Sequence, residues 1–270
     1  MVTRNELSHL PDSGGVLTRL GLRLSSRCGV HTSRTVMLEE LARLFDHVVD
    51  PSADRAAYVR AIEQENCLGK RSDRSRKLTR EYLITLYGLD PNMSIFRVLR
   101  YFWQRDPEGR PLLAGICAFA RDALLRQSAP YILGLQAEEP FNRSALEAFL
   151  DEHNPGRFSK STLTSVAGNL AASWTKVGLL RGSVNKYRAT AHATPGATAY
   201  ALFLGHLQGA RGDALFTADP VRILDCPVDG LFALTEEASR RGWMVFNRVG
   251  KVAEVAFPAF LQPWEQEWLS

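Results

Sequence analysis

Six cationic side chains are crowded into one short stretch of the chain, which we call the basic segment. They are Lys70, Arg71, Arg74, Arg76, Lys77 and Arg80. Like charges this close repel one another, and a bound polyanion relieves the repulsion. Because a nucleic-acid backbone is the commonest polyanion, the basic segment predicts phosphate contacts. Asp73 interrupts the run, so not every cation need contact phosphate, and the alternative is a solvated helix face without a ligand.

The residues around the basic segment predict a helix that carries these charges. Ser72 is a typical N-cap, and Gly88 is a typical stop. Apolar residues recur between them at i, i+4 and i+8, namely Leu78, Tyr82 and Leu86. This spacing predicts one buried face and places Arg76, Lys77 and Arg80 roughly opposite to it.

The same stretch resembles a motif of the BREX phage-defence protein A family (BrxA), over about residues 34–100. The residues that carry the resemblance are Glu65-Asn66, Leu68, Arg71-Ser72 and Ser75, followed by the basic helix. In that family an acidic-Asn-x-Leu element precedes an Arg-Thr/Ser-x-x-Ser/Thr turn and a helix. The resemblance implies a mostly helical cytoplasmic protein that binds double-stranded DNA in a bacterial anti-phage system. It also implies methyltransferase, ATPase and phosphatase-like partners from the same BREX system. The helical core of that family is similar to the antitermination factor NusB, so RNA remains an alternative ligand.

Length and composition bound the class of protein. The chain has 270 residues, a formal net charge of +4 and a sequence pI of about 9.0. A chain of this length can bury a sizeable core and can form two domains. This small positive net charge is compatible with a polyanionic partner but does not indicate one. The prediction of nucleic-acid binding therefore depends on the local clustering of charge.

The cysteines and apolar runs predict the compartment. The four cysteines are scattered without a C-x-x-C pair, which argues against zinc-ribbon and thioredoxin-type sites and is typical of a reducing cytosol. The N-terminus lacks the layout of a signal peptide. The apolar run at 112–120 ends at Arg121, far short of the roughly 20 residues that a membrane span needs. We therefore expect a cytoplasmic protein outside the membrane.

The usual motifs of enzyme chemistry are missing from the sequence. It contains no H-E-x-x-H metal site, no phosphate-binding G-x-x-x-x-G-K-[ST] loop and no G-x-S-x-G nucleophile elbow. Its adjacent glutamate pairs point to different faces of a helix and make poor acid/base dyads. These absences predict a non-enzymatic protein without cofactor or metal, although a catalytic set built from distant residues stays open.

Apolar periodicity predicts a mainly α fold. Residues 1–33 are expected to form an arm, and residues 34–136 a bundle of five helices in which the basic helix is third. An apolar helix from Leu112 to Leu125 is predicted at its centre. A polar stretch near 136–140 is a soft boundary before a C-terminal region, 140–270.

The C-terminal region is predicted to be winged-helix-like α+β with short β-hairpins, as one or two small modules. Residues 159–176 would be the recognition helix, with Lys160 and Thr164 on its small, polar outer side. Lys186 and Arg188 would lie on the wing that follows. The alternative is that the small residues of this helix let another helix of the same protein pack close.

A second hairpin is predicted around Val249-Gly250. Arg248 and Lys251 would lie at its turn and add to the nucleic-acid surface. A terminal hairpin that only closes a core is the alternative.

These patterns favour a double-stranded DNA-binding accessory protein that binds mainly through phosphates. Two other functions stay open. The basic helix could dock on an acidic surface of a partner, in a protein-interaction subunit, or the helical core could bind structured RNA, although no RRM-like aromatic strand motif occurs.

Overall fold

The computed structural model describes residues 13–24, 29–250 and 252–269. This part of the chain is mainly helical and contains two small antiparallel hairpins, which confirms the predicted fold class at that level. Among the described residues, no helix is both long and apolar enough to cross a membrane.

The described residues of the first half form mainly helices. They are α1 (Ser13–Leu20), α2 (Leu38–His47), α3 (Arg55–Glu63), α4 (Asp73–Tyr87), α5 (Ser94–Arg105), α6 (Arg110–Arg121) and α7 (Ala123–Gly134). A 3-10 turn at Val30–Thr32 precedes α2. The predicted arm is therefore only partly described, and its described residues Leu20, Leu22 and Val30 are buried in the core rather than free.

The second half alternates helices with two hairpins. Its helices are α8 (Arg143–His153), α9 (Lys160–Val177), α10 (Pro195–Leu207), α11 (Asp219–Arg222), α12 (Val228–Arg240) and α13 (Pro263–Leu269), with a 3-10 stretch at Gly212–Thr217. Strands β1 (Leu180–Arg181) and β2 (Tyr187–Arg188) pair antiparallel, and so do β3 (Val245–Val249) and β4 (Val252–Ala256). Val249 pairs with Val252, and Gly250, which follows Val249, has a φ of 63°.

Helix α6 lies at the centre of the core, as its apolar sequence predicts. It contacts α4, α5 and α7 from the first half and α9 and α10 from the second. A Cβ on Gly115 would lie 2.7 Å from Val177 of α9, so the two helices approach closely because this position is glycine. The two sides of the predicted boundary thus share one apolar core. The helix ends at Arg121 and not at Leu125 as predicted, because Asp122 leaves the helical conformation and caps α7. Residues 34–136 therefore contain six helices instead of the five expected.

Helix α4 carries the basic segment and has the predicted ends. The Ser72 hydroxyl accepts a hydrogen bond from the Ser75 amide at 3.2 Å, and Gly88 follows the last turn with a φ of 90°. The rotation of the helix differs from the prediction. Its buried face contains Leu83, Leu86 and Tyr87, whereas Leu78 is 36% exposed.

This cap gives a first testable prediction. Ser72→Ala should lower the free energy of unfolding by about 1 kcal/mol, because the Ser75 amide loses its acceptor. The measurement is the midpoint of urea unfolding. Ser165→Ala is the matched control, since its hydroxyl only bonds the Ser161 carbonyl within α9 and its loss should change stability by under about 0.5 kcal/mol. Equal losses in the two variants would refute the capping role.

Candidate nucleic-acid interface

Three cations of the basic segment are neutralised by the protein itself, and we call them the paired set: Lys70, Arg76 and Arg80. The Lys70 Nζ lies 3.1 Å from a carboxylate oxygen of Glu40, and the Arg80 Nη1 lies 2.8 Å from one of Glu63. Arg76 donates to the Glu63 carbonyl at 3.0 Å and lies 3.5 Å from the Asp73 carboxylate. About a quarter of each of the three side chains is exposed. Arg76 and Arg80 brace α4 against α3, and Lys70 braces the turn before α4 against α2.

The other three cations are exposed, and we call them the unpaired trio: Arg71, Arg74 and Lys77. Within the described part of the chain, no carboxylate lies at ion-pair distance from any of them. Residues 74 and 77 are three positions apart and therefore neighbours on one helix face, away from the buried Leu83 and Tyr87. The positive end of the helix dipole strengthens the positive potential around these side chains. Asp73, whose side chain is 84% exposed, weakens that potential.

The turn before α4 presents this trio to solvent. Asn66 has a φ of 50°, which asparagine tolerates better than most residues, and its side-chain oxygen accepts from the Lys70 amide at 2.7 Å. Leu68 is buried and anchors the turn, while Glu65 pairs with His47 and Arg60. Residues 65–72 thus form the turn that leads into the basic helix.

One cation near this surface was missed in the sequence. The Arg34 guanidinium lies 5.5 Å from the centre of the Tyr82 ring of α4, and Arg34 is exposed. It comes from the segment before α2, so only the tertiary fold brings it beside the basic helix.

The predicted recognition helix, α9, is only partly available. Lys160 is exposed at its start, and Thr164 is half-buried with its hydroxyl bonded to the Lys160 carbonyl at 3.1 Å. Further along, the Asn169 amide donates to the His31 carbonyl at 3.0 Å, and Lys176 pairs with Glu39 at 2.5 Å. The later part of the small polar face therefore packs against residues 29–39, which contain the 3-10 turn and the first residues of α2.

The predicted wing residues have different surroundings. Arg188 lies in the first hairpin, as predicted, but it is buried and its guanidinium lies 2.7 Å from the Asp225 carboxylate, so it is not available to a nucleic acid. Lys186 is half-buried and donates to the Gly182 carbonyl and the Thr175 hydroxyl, each at 3.0 Å. Burial lowers its pKa. Lys186 thus ties the first hairpin to α9.

At the second hairpin, Arg248 is exposed and its guanidinium lies 3.9 Å from the centre of the Phe232 ring. Lys251, also predicted there, lies outside the described residues. Of the predicted winged-helix cations, Lys160 and Arg248 are therefore the exposed ones among the described residues.

Three buried side chains beside α9 have the residue types of a hydrolytic triad. The Ser173 Oγ lies 2.9 Å from the His31 Nε2, and the His31 Nδ1 lies 3.1 Å from the Asp122 Oδ2. All three are fully buried, and the Ser173 Oγ also bonds the Val36 amide and the Asn169 carbonyl at 2.8 Å each. Because the Ser173 hydroxyl is buried and bonds these backbone groups, the set fastens the N-terminal segment to α9.

A search of protein families, of curated proteins and of solved structures found no match to this chain. Within the described ranges, no group of three or more histidine, cysteine or acidic side chains is arranged to hold a metal ion.

Proposed function

We propose that this protein binds double-stranded DNA through the phosphate backbone, with the unpaired trio as its main contact. The observation that carries the proposal is the contrast within one short segment. Lys70, Arg76 and Arg80 each have an internal acidic partner, whereas the unpaired trio has none among the described residues and remains in solvent. Charges kept unpaired this close together favour a polyanionic ligand.

The mechanism follows from the chemistry of these groups. Arginine and lysine that neutralise phosphates release condensed counterions, and this release supplies affinity with little sequence preference. Arg71 and Arg74 can each present two parallel N–H donors to one phosphate, whereas Lys77 acts as a point charge. Lys160 and Arg248, on the winged-helix-like elements, are proposed as secondary contacts.

We further propose that the protein is a cytoplasmic accessory component of a BREX-type phage-defence system and works beside other proteins of that system. The support is the resemblance at Glu65-Asn66, Leu68 and Arg71-Ser72, together with the fact that these residues build the turn ahead of the basic helix.

Fluorescence anisotropy with a labelled duplex tests the proposal. We expect binding that weakens steeply as salt rises, and an unlabelled RNA duplex of equal length should compete no better than DNA. Salt-insensitive binding would contradict the proposal, and stronger competition by RNA would assign the surface to structured RNA. No DNA binding, together with co-elution with a protein encoded by a neighbouring gene, would instead assign the trio to an acidic protein surface.

A further inference from the structure

A pocket of about 410 Å³ opens between the start of α2, the turn before α4 and the second half of α9. This volume lies within the range of roughly 300–1,000 Å³ typical of small-ligand sites. The buried side chains of Met37 and Leu68 line it together with polar and charged groups. Lys70 also lines it, and Arg71 follows directly, so the pocket adjoins the unpaired trio.

The pocket carries a surplus of two positive charges. Its lining contains four cationic side chains and two carboxylates. Each carboxylate already has a lysine partner, since Lys176 pairs with Glu39 at 2.5 Å and Lys70 with Glu40 at 3.1 Å. The surplus therefore belongs to the two arginines of the lining, Arg34 and Arg43.

Both arginines are available to a ligand. They are exposed, and neither has a carboxylate at ion-pair distance in the described ranges. The Arg34 Nη1 donates to the Ser33 carbonyl at 3.1 Å and the guanidinium lies over Tyr82, which leaves its other N–H groups free for an anion. The remaining wall is the beginning of α2, where Met37 has an uncommon φ of 53° and provides no side-chain cap.

We propose that this pocket binds a terminal phosphate monoester, supplied either by the end of a nucleic-acid strand or by a free nucleotide. A monoester carries about 1.5 to 2 negative charges at neutral pH, close to the surplus of the pocket. A phosphodiester within a duplex carries one charge and has a sugar on each side, so it cannot enter a concave site as deeply. The strand-end source rests on the proposed function, whereas the nucleotide source does not.

The test compares two duplexes of identical sequence, one with 5′-phosphate ends and one with 5′-hydroxyl ends. We expect the phosphate-ended duplex to bind about tenfold more tightly, the value of one charge-assisted contact of about 1.4 kcal/mol. The double variant Arg34→Gln with Arg43→Gln should lose this preference, and its affinity for the hydroxyl-ended duplex should fall no further than that of a control variant that lacks two arginines elsewhere. Calorimetric titration with adenosine monophosphate, and with adenosine as the uncharged comparison, tests the nucleotide source.

The control variant, Arg105→Gln with Arg222→Gln, removes two exposed arginine charges outside the pocket. Arg105 resembles Arg34 because its guanidinium lies 3.8 Å from the centre of a tyrosine ring, that of Tyr101, and it donates to a backbone carbonyl. This variant should keep the preference for phosphate ends. If both variants lost the preference, the preference would depend on net charge alone, and the assignment of a phosphate site to the pocket would be wrong.

The remaining outcomes separate the two proposals. If the wild-type protein binds both duplexes equally and does not bind adenosine monophosphate, the pocket assignment is wrong while DNA binding stands. If adenosine monophosphate binds the wild-type protein but not the Arg34/Arg43 variant, and no duplex binds, the pocket stands and the DNA proposal fails. Equal binding of adenosine and its monophosphate would also refute a phosphate site.

Discussion

Asp122→Ala should lower the free energy of unfolding by about 3–5 kcal/mol, because three buried backbone amides lose their acceptor at about 1–3 kcal/mol each. The Asp122 side chain is fully buried. Its carboxylate accepts from the amides of Leu124 and Leu125 at 3.0 Å each, which caps α7, and from the Val30 amide at 2.5 Å. The His31 Nδ1 lies 3.1 Å away. One substitution therefore removes both a helix cap and the attachment of the N-terminal segment.

Asp54→Ala is the matched control for this substitution. Asp54 also caps a helix, accepting from the Ala57 amide at 2.8 Å, but it is exposed. Its loss should cost only about 1 kcal/mol, the usual worth of an N-cap. Urea unfolding monitored by circular dichroism measures both values, and similar losses in the two variants would mean that burial adds nothing to the role of Asp122.

The same carboxylate gives stability a pH dependence. Burial raises the pKa of Asp122, but the attraction of His31 and the hydrogen bonds from His31 and the backbone amides outweigh it, so the pKa lies below its ordinary value. The contribution is therefore fully present above the unfolded pKa of about 3.9 and is lost as pH falls through the folded value. We therefore expect the difference in the free energy of unfolding between the wild-type protein and Asp122→Ala to become smaller as the pH falls. Urea unfolding at a series of acidic pH values measures this difference.

Neutralising the unpaired trio should weaken duplex binding about a hundredfold at moderate salt. The variant combines Arg71→Gln, Arg74→Gln and Lys77→Gln. Three phosphate contacts worth roughly 1 kcal/mol each give a loss of this order. Because these side chains are exposed and have no internal ion pairs among the described residues, the thermal midpoint of unfolding should change little.

The paired set provides a charge-matched control on the same segment. Lys70→Gln, Arg76→Gln and Arg80→Gln remove the same three charges, but these residues already contact Glu40, Glu63 or Asp73. That variant should lose stability, by up to about 1 kcal/mol for each pair, and should lose under about tenfold in affinity. Both variants are measured on a duplex with hydroxyl ends, which lacks the terminal phosphate proposed to bind the pocket. Equal affinity losses in the two variants would mean that net charge alone decides binding.

The sequence was most informative where the determinants are local. Ser72 and Gly88 fix the ends of α4, and the apolar run of α6 identifies the central helix. The rotation of α4 was harder to predict, because Leu83 and Tyr87 belong to a second apolar series that competes with Leu78 for the core.

Tertiary ion pairs could not be predicted in this way. Which cations of the basic segment are neutralised depends on Glu40 and Glu63, which lie on other helices. For the same reason, no local pattern indicates that Arg188 is buried against Asp225 or that Ser173 bonds His31. A cation in a sequence is a candidate for phosphate binding only until its acidic neighbours in space are known.

The most direct test of the account is the slope of log binding constant against log salt concentration for the wild-type protein and the trio variant on one duplex. Each phosphate contact contributes about 0.9 to the magnitude of this slope for B-form DNA. We predict that removing Arg71, Arg74 and Lys77 lowers the magnitude by about 2.7, whereas the paired-set variant changes it by less than about 1. A trio variant that keeps the wild-type slope would contradict the assignment of these three side chains to the phosphate backbone.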